Sequence, residues 1–339
     1  MNNQIKVLIT VEFAQELLDQ IQAVSPRLEV RSFPSVNLEE LPEDSWEGVE
    51  VLYTNKVLPE PEQASDLRWI QFHRAGNERV IGAPILRKPD LVATTLSGAS
   101  APQVAEYVLS MILNLGHHTP EIIDFQKQRV WPADRGERFY PQELNQSTVG
   151  IIGYGSIGRE VARLCCAFGA KVLATKADAK NPEDPGYGIE GVGDPGGDSV
   201  HLLYPPQALV SMLKECDYIV VAVPLTPETR GMIAAEELDA MKSSAYLVDI
   251  SRGGVVDHRD LIEALRGGNL AGAALDVFPE EPLPADSQLW GLPNVILSPH
   301  IAGMTARYDE RAADLFVDNL NRYLAGEDLL NEIDLERGY

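Results

Sequence analysis

Basic charge is in short supply in this chain. Its 339 residues carry 28 Lys and Arg against 51 Asp and Glu, a formal net charge of 28 − 51 = −23, with six histidines. So acidic a surface repels phosphodiester backbones and anionic headgroups, which excludes nucleic acid and a charged membrane as expected partners. Cysteine is scarce as well. Three are too few for a disulfide framework, and no C-x-x-C or Cys/His metal spacing occurs. Cys165, Cys166 and Cys216 are expected to be packing residues. No run has the apolar length of a membrane span, and the opening MNNQIKVLIT has no basic segment followed by an apolar core, so a cytoplasmic protein is expected. His117 and His118 adjoin without converging ligands, so no metal is expected.

What is present is size and glycine punctuation. The length suffices for two domains with substantial cores. Residues 148–152 form a short β-branched apolar run suited to a buried parallel strand. Gly153-Tyr-Gly155-Ser-Ile-Gly158, a G-x-G-x-x-G, follows it. Ile157, Val161, Leu164, Cys165 and Phe168 then recur at helical spacing, Gly169 ends the helix, and 171–175 is the next strand. The first glycine permits the tight turn, the second lets backbone approach a pyrophosphate, and the third lets the helix pack close to the strand. The helix N-terminus behind them favours the diphosphate anion.

An acid is expected at the end of the second strand, about 20 residues on, to hold the adenosine ribose. Lys176 occupies that place. A cation there can pair with a 2′-phosphate, which leans the reading towards NADP. Asp178, two residues further, reaches the ribose if the chain turns early, so NAD and NADP both stay open.

Along the chain, strands are expected at 5–10, 28–33, 49–53, 68–72 and 91–95, with a helix at 12–23. Ser100-Ala-Pro-Gln103 resembles a capping box and opens a long helix with an apolar stripe at Val104, Val108, Met111, Ile112 and Leu115. Residues 181–204, rich in Gly, Pro and Asp, read as an irregular loop at the adenosine end of the site, and loops of this length are usually functional or mobile. Helices at 206–215, 235–241 and 258–266 then alternate with strands at 218–223, 245–250, 271–276 and 295–298, the pattern of a doubly wound parallel sheet. A last helix, 305–325, is expected to cross back and pack on the N-terminal domain.

Ligands of such a sheet lie beyond the carboxyl ends of its strands. Three ionisable groups fall there: Arg252 in DISRGGVVD, Glu281 in DVFPEEPLP and His300 in SPHIAG. Each alone reads better as a loop or surface polar group. Together they suit reduction of an α-keto acid. A guanidinium grips a carboxylate bidentately, an imidazole titrates near neutral pH and can deliver a proton, and a carboxylate can fix the imidazole's distal nitrogen.

The series VGIIGYGSIGREVA, VPLTPETRGMI, AYLVDISRGGVVD, LAGAALDVFPEEPLP and LPNVILSPHIAG, in that order, resembles the D-isomer-specific 2-hydroxyacid dehydrogenase family, which includes glyoxylate/hydroxypyruvate reductases and phosphoglycerate dehydrogenases. The resemblance implies an α/β fold of two doubly wound parallel-sheet domains. A Rossmann NAD(P)-binding domain at 117–303 would be inserted in a flavodoxin-like substrate domain at 1–116 and 304–339. It implies Arg252, Glu281 and His300 as the catalytic residues and D-stereochemistry of the product. Cofactor contacts fall on Gly153, Gly155, Ser156, Ile157, Gly158, Lys176, Pro224, Thr229, Ile250, Ser251, Arg252, Asp276, His300 and Gly303, with Asp276 as partner of the nicotinamide amide. The small domain's carboxylate-binding loop matches HRAGNE, so the Ala75 and Gly76 N–H groups are substrate candidates, and Arg74 adds a cation. A homodimer through the nucleotide-binding domain is implied. Two readings of other classes remain: a catalytically silent dinucleotide-sensing corepressor or scaffold, and a phosphite-type dehydrogenase.

Overall fold

A computed structural model describes residues 4–76, 80–184 and 186–334, and the chain divides into two compact units, Met1–Ser100 with Thr305–Tyr339, and Ala101–Met304. In the first unit, β1 (Ile5–Ile9), β2 (Leu28–Ser32), β3 (Val49–Thr54), β4 (Trp69–Phe72) and β5 (Val92–Thr94) form an all-parallel sheet in the order β2-β1-β3-β4-β5, with α1 (Gln15–Ala23) as the first crossover. This is the flavodoxin-like doubly wound order. Both faces are covered, so β3 and β4 are apolar nearly throughout: Val51, Leu52, Tyr53, Trp69, Ile70 and Phe72 are all buried.

The second unit opens with three helices, α2 (Ala101–Gly116), α3 (Thr119–Gln128) and α4 (Arg135–Arg138). Then come β6 (Thr148–Ile152), α5 (Ser156–Ala167), β7 (Lys171–Thr175), β8 (Leu202–Tyr204), α6 (Leu209–Leu213), β9 (Tyr218–Val221), α7 (Ala235–Ala240), β10 (Tyr246–Asp249), α8 (His258–Gly267), β11 (Gly272–Leu275) and β12 (Val295–Leu297). The seven strands are parallel in the order β12-β11-β10-β9-β6-β7-β8. Counted within the unit, that is 3-2-1-4-5-6-7, the Rossmann order with one strand added, and its switch point lies between β6 and β9.

The chain ends in α9 (Tyr308–Ala325), which packs on the first sheet: the Phe316 ring lies 4.7 Å from that of Tyr53 and 5.2 Å from that of Trp69. Gly326 closes the helix in the left-handed region at φ 72°.

Three features differ from the sequence expectation. The first domain was expected to run to residue 116, yet α2 belongs to the second unit. Its stripe Val104, Val108, Ile112 and Leu115 shares a core with Val149, Val161 and Cys165 of β6 and α5. The loop expected at 181–204 ends in a strand, β8, at the sheet edge beside β7. The helix expected at 206–215 is a 3-10 turn, Pro206–Ala208, followed by only five α residues, Leu209–Leu213.

Candidate active site

The glycine turn has the three environments the motif requires. Gly153 adopts φ +103°, and a Cβ there would lie 2.8 Å from the Ala222 carbonyl oxygen. At Gly158 it would lie 2.2 Å from the Gly153 carbonyl oxygen, so strand and helix approach too closely for any side chain. At Gly155 a Cβ would meet nothing within 4 Å: that face is open, where a diphosphate would lie against the start of α5. These residues fit a dinucleotide. The Gly153 N–H donates to Thr175 Oγ1 and the Tyr154 N–H to the Thr175 carbonyl, which ties the turn to the end of β7.

Lys176, just beyond, is turned into the loop that follows. Its Nζ donates to the Asn181 carbonyl at 2.5 Å and the Glu183 carbonyl at 2.8 Å, and desolvation, with the nearby Arg159 charge, lowers its pKa. Arg159, in the first turn of α5, drew no attention in the sequence and is only 2% exposed. It donates to the carbonyls of Asp194 and Pro182 at 2.6 and 2.7 Å, and lies 4.5 Å over the Tyr154 ring. Its Nε is 3.2 Å from Asp184 Oδ2, without hydrogen-bond alignment.

At the other end of the sheet the strand-end loops converge. After β9, Thr229 Oγ1 donates to the Pro224 carbonyl at 2.6 Å and accepts from the Thr226 N–H, closing residues 224–229 on themselves. After β10, Asp249 Oδ1 accepts both the N–H and the hydroxyl of Ser251, which fixes the turn through Ile250 and Ser251 that presents Arg252. Arg252 donates to the Ser251 carbonyl at 2.7 Å. A Cβ on the next residue, Gly253, would lie 1.9 Å from the Phe278 carbonyl oxygen, so backbone packs on backbone and the Arg252 loop abuts the loop bearing Glu281.

Glu281 Oε1 accepts the Phe278 N–H at 3.0 Å, and Oε2 meets His300 Nδ1 at 2.9 Å. Partial burial raises the Glu281 carboxyl, but the hydrogen bonds from His300 and Phe278 and the charges of His300 and Arg252 outweigh it, and its pKa lies below the ordinary value. With Nδ1 engaged, Nε2 is the His300 atom available to pass a proton.

His300 itself has φ +54°, a conformation a non-glycine residue keeps only when its surroundings impose it. Asp276, 2% exposed at the end of β11, imposes it. Its Oδ1 accepts the Ser298 hydroxyl at 2.6 Å and the Ile301 N–H at 2.9 Å, and its Oδ2 accepts the Ala302 N–H at 2.9 Å. Asp276, expected from sequence to meet a nicotinamide amide, thus spends three bonds on the histidine loop. Tyr107 of α2 meets Ser298 Oγ at 2.6 Å, and Gln103 donates to the Gly303 carbonyl, so the same helix braces both ends of that loop.

In the first unit, Arg74, Ala75 and Gly76 follow β4 on a turn, and Asn77 and Glu78 of the expected carboxylate loop lie outside the described residues. Arg74 Nε donates to Asn55 Oδ1 at 2.8 Å, and the Leu96 N–H holds the Arg74 carbonyl. Beside it, His73 Nδ1 meets the Tyr53 hydroxyl at 2.7 Å; burial lowers its pKa, against the opposing charge of Asp309. No group of three metal-ligating side chains occurs among the described residues, and no helix there is long and apolar enough to cross a membrane.

The family model for the D-isomer specific 2-hydroxyacid dehydrogenase, NAD binding domain, matches residues 109–302. A glyoxylate reductase of Pyrococcus furiosus is 32% identical over 312 residues, covering 85% of this chain and 88% of that protein. The crystal structure of a D-isomer specific 2-hydroxyacid dehydrogenase from Xanthobacter autotrophicus, in complex with NADPH and MES, is 29% identical with a TM-score of 0.78, covering 99% of this chain and all of that one. An NADPH-dependent glyoxylate/hydroxypyruvate reductase from Sinorhizobium meliloti aligns at 25% identity with a TM-score of 0.76, again over 99% and 100%. The chain belongs to the D-isomer specific 2-hydroxyacid dehydrogenase family and carries its NAD-binding domain.

Proposed function

We propose that this chain reduces small 2-oxo acids of the glyoxylate/hydroxypyruvate type to D-2-hydroxy acids with NADH or NADPH. The observation that carries the reading is the Glu281–His300 pair, 2.9 Å apart, on a loop packed against the one bearing Arg252. The names of the relatives support the same substrate class. Arg252 binds the substrate carboxylate and lends a donor to the ketone oxygen. His300 Nε2 gives that oxygen its proton, while Glu281 holds the ring through Nδ1. The nicotinamide, when bound, supplies the hydride.

For the cofactor, Gly153, Gly155, Ser156, Ile157 and Gly158 hold the diphosphate, and Lys176 lies at the adenosine end. Pro224, Thr229, Ile250, Ser251, Asp276 and Gly303 line the nicotinamide side. The N–H groups of Ala75 and Gly76 bind the substrate carboxylate, with Arg74 as an added cation. The test is a panel of 2-oxo acids and phosphite assayed with both cofactors. Turnover of glyoxylate or hydroxypyruvate is expected; tight dinucleotide binding without turnover of any 2-oxo acid would return the silent-sensor reading.

The active form in this reading is a homodimer through the nucleotide-binding unit. Ile122, Ile123, Val130, Trp131 and Tyr140, on and after α3, are exposed apolar side chains on that unit, with Trp131 83% exposed. Trp131→Glu is expected to shift a dimer to monomer in light scattering; a wild-type monomer contradicts the assignment. Three free thiols, two of them buried, accord with a reducing cytoplasm.

A further inference from the structure

The loop after β7 is not loosely attached. Arg159 bridges Pro182 and Asp194, two points on it twelve residues apart, from inside the protein. Tyr154, the second residue of the glycine motif, donates its hydroxyl to the Asp194 carboxylate, which also accepts the N–H groups of Asp198 and Ser199 at 2.8 and 2.9 Å. Glu160, buried beside Arg159, accepts the Gly193 N–H at 2.6 Å while paired with Arg163. Lys176 ties the near end through Asn181 and Glu183. Every one of these anchors comes from the glycine turn, the first turns of α5, or the residue after β7, the elements that frame the adenosine half of a Rossmann site.

We propose that Arg159 and Lys176 are positioning residues that hold residues 181–184 and 186–194 as a fixed wall at the adenosine end, and that Lys176 is not a ligand of a cofactor 2′-phosphate. A phosphate ligand needs donors directed at the anion. Two of the three ammonium donors of Lys176 are directed instead at two carbonyls of its own chain, and those carbonyls keep the ammonium beside the loop. Arg159 cannot serve as that ligand either, since both terminal nitrogens face carbonyls inside the fold. A buried, charged bridge of this kind fixes geometry, because a guanidinium deprived of its carbonyls has no water to turn to. Cofactor choice therefore does not run through the charge of Lys176, and loss of that lysine disturbs both dinucleotides alike.

The inference rests on the proposed dinucleotide site, but its test does not need turnover. Dissociation constants of NADH and NADPH are measured by fluorescence titration for wild type and Lys176→Met, alongside digestion by a glutamate-specific protease at Glu183 and Glu190. Both constants are expected to rise together by roughly threefold to tenfold, with their ratio unchanged within about twofold, and cleavage in 181–194 to accelerate. Arg159→Lys, which keeps the charge but cannot span two carbonyls, is expected to accelerate cleavage likewise. Should Arg159→Lys fail to fold, Lys176→Met, at a partly exposed site, decides alone. Weakening confined to NADPH with cleavage unchanged would make Lys176 a phosphate ligand and overturn the proposal, as would two unchanged dissociation constants. Failure of every 2-oxo acid as substrate would remove the proposed function and leave these two readouts intact.

Discussion

Asp249 gives a prediction whose size follows from its surroundings. It is 1% exposed at the end of β10; Oδ1 accepts two bonds from Ser251, and among the described residues no donor meets Oδ2. Burial pushes its carboxyl up to about 6 from 3.8; the Ser251 bonds oppose the rise and the Asp276 charge adds to it. Between pH 3.8 and about 6 the folded state therefore keeps a proton that the unfolded chain has released, so this group's contribution to stability falls as pH rises through that window and is level above it. The width is 6 − 3.8 = 2.2 pH units, which at about 1.4 kcal/mol per unit makes about 3 kcal/mol. Asp249→Asn cannot titrate. Its fixed offset, including a new buried amide donor, is the same at every pH and drops out of a comparison across pH. Because part of the change falls below pH 4, the stability of the variant relative to wild type is expected to rise by about 2 kcal/mol between pH 4 and pH 7, or about 4–8 °C in relative Tm for a unit of this size. Parallel thermal melts at four pH values measure it. A difference level to within about 0.5 kcal/mol across that range would refute the reasoning.

Two further predictions bear on the site. Gly158→Ala places a methyl 2.2 Å from a backbone oxygen with no flexible side chain to yield, and is expected to cost roughly 1–3 kcal/mol by overpacking and to weaken dinucleotide binding; an unchanged Tm and dissociation constant would contradict the packing role. Glu281→Gln removes the negative charge that accepts from His300 Nδ1 and is expected to lower kcat about tenfold or more with the dinucleotide dissociation constant unchanged; single-turnover kinetics with wild-type rates would contradict it.

The parallel strands were legible because both their faces are buried, and residues such as 149–152 and 218–221 consequently read as unbroken apolar runs. The glycine turn and the loops bearing Arg252, Glu281 and His300 were legible as motifs at strand ends. The pairing of Glu281 with His300 and the contact of the Arg252 loop with Phe278 agree with that reading.

What escaped depends on partners distant in sequence. β8, Leu202–Tyr204, is only three residues long at a sheet edge, with no residue fully buried, too short a run to read as a strand. α3 buries none of its residues and has no stripe to read. The stripe of α2 announces a buried face without saying which sheet it covers. Arg159 looks like an ordinary helix arginine until the carbonyls of Pro182 and Asp194 are brought to it. Likewise, Lys176 by position suggested a phosphate ligand, and only the course of the following loop reveals where its ammonium points.

The central claim is that His300, oriented by Glu281, hands the proton to a ketone held by Arg252. The direct measurement is kcat of His300→Gln with glyoxylate or hydroxypyruvate at saturating reduced cofactor, together with the dinucleotide dissociation constant of the same variant. A fall in kcat of about 10²–10⁴ with an unchanged dissociation constant is expected. Turnover within about threefold of wild type would contradict the claim.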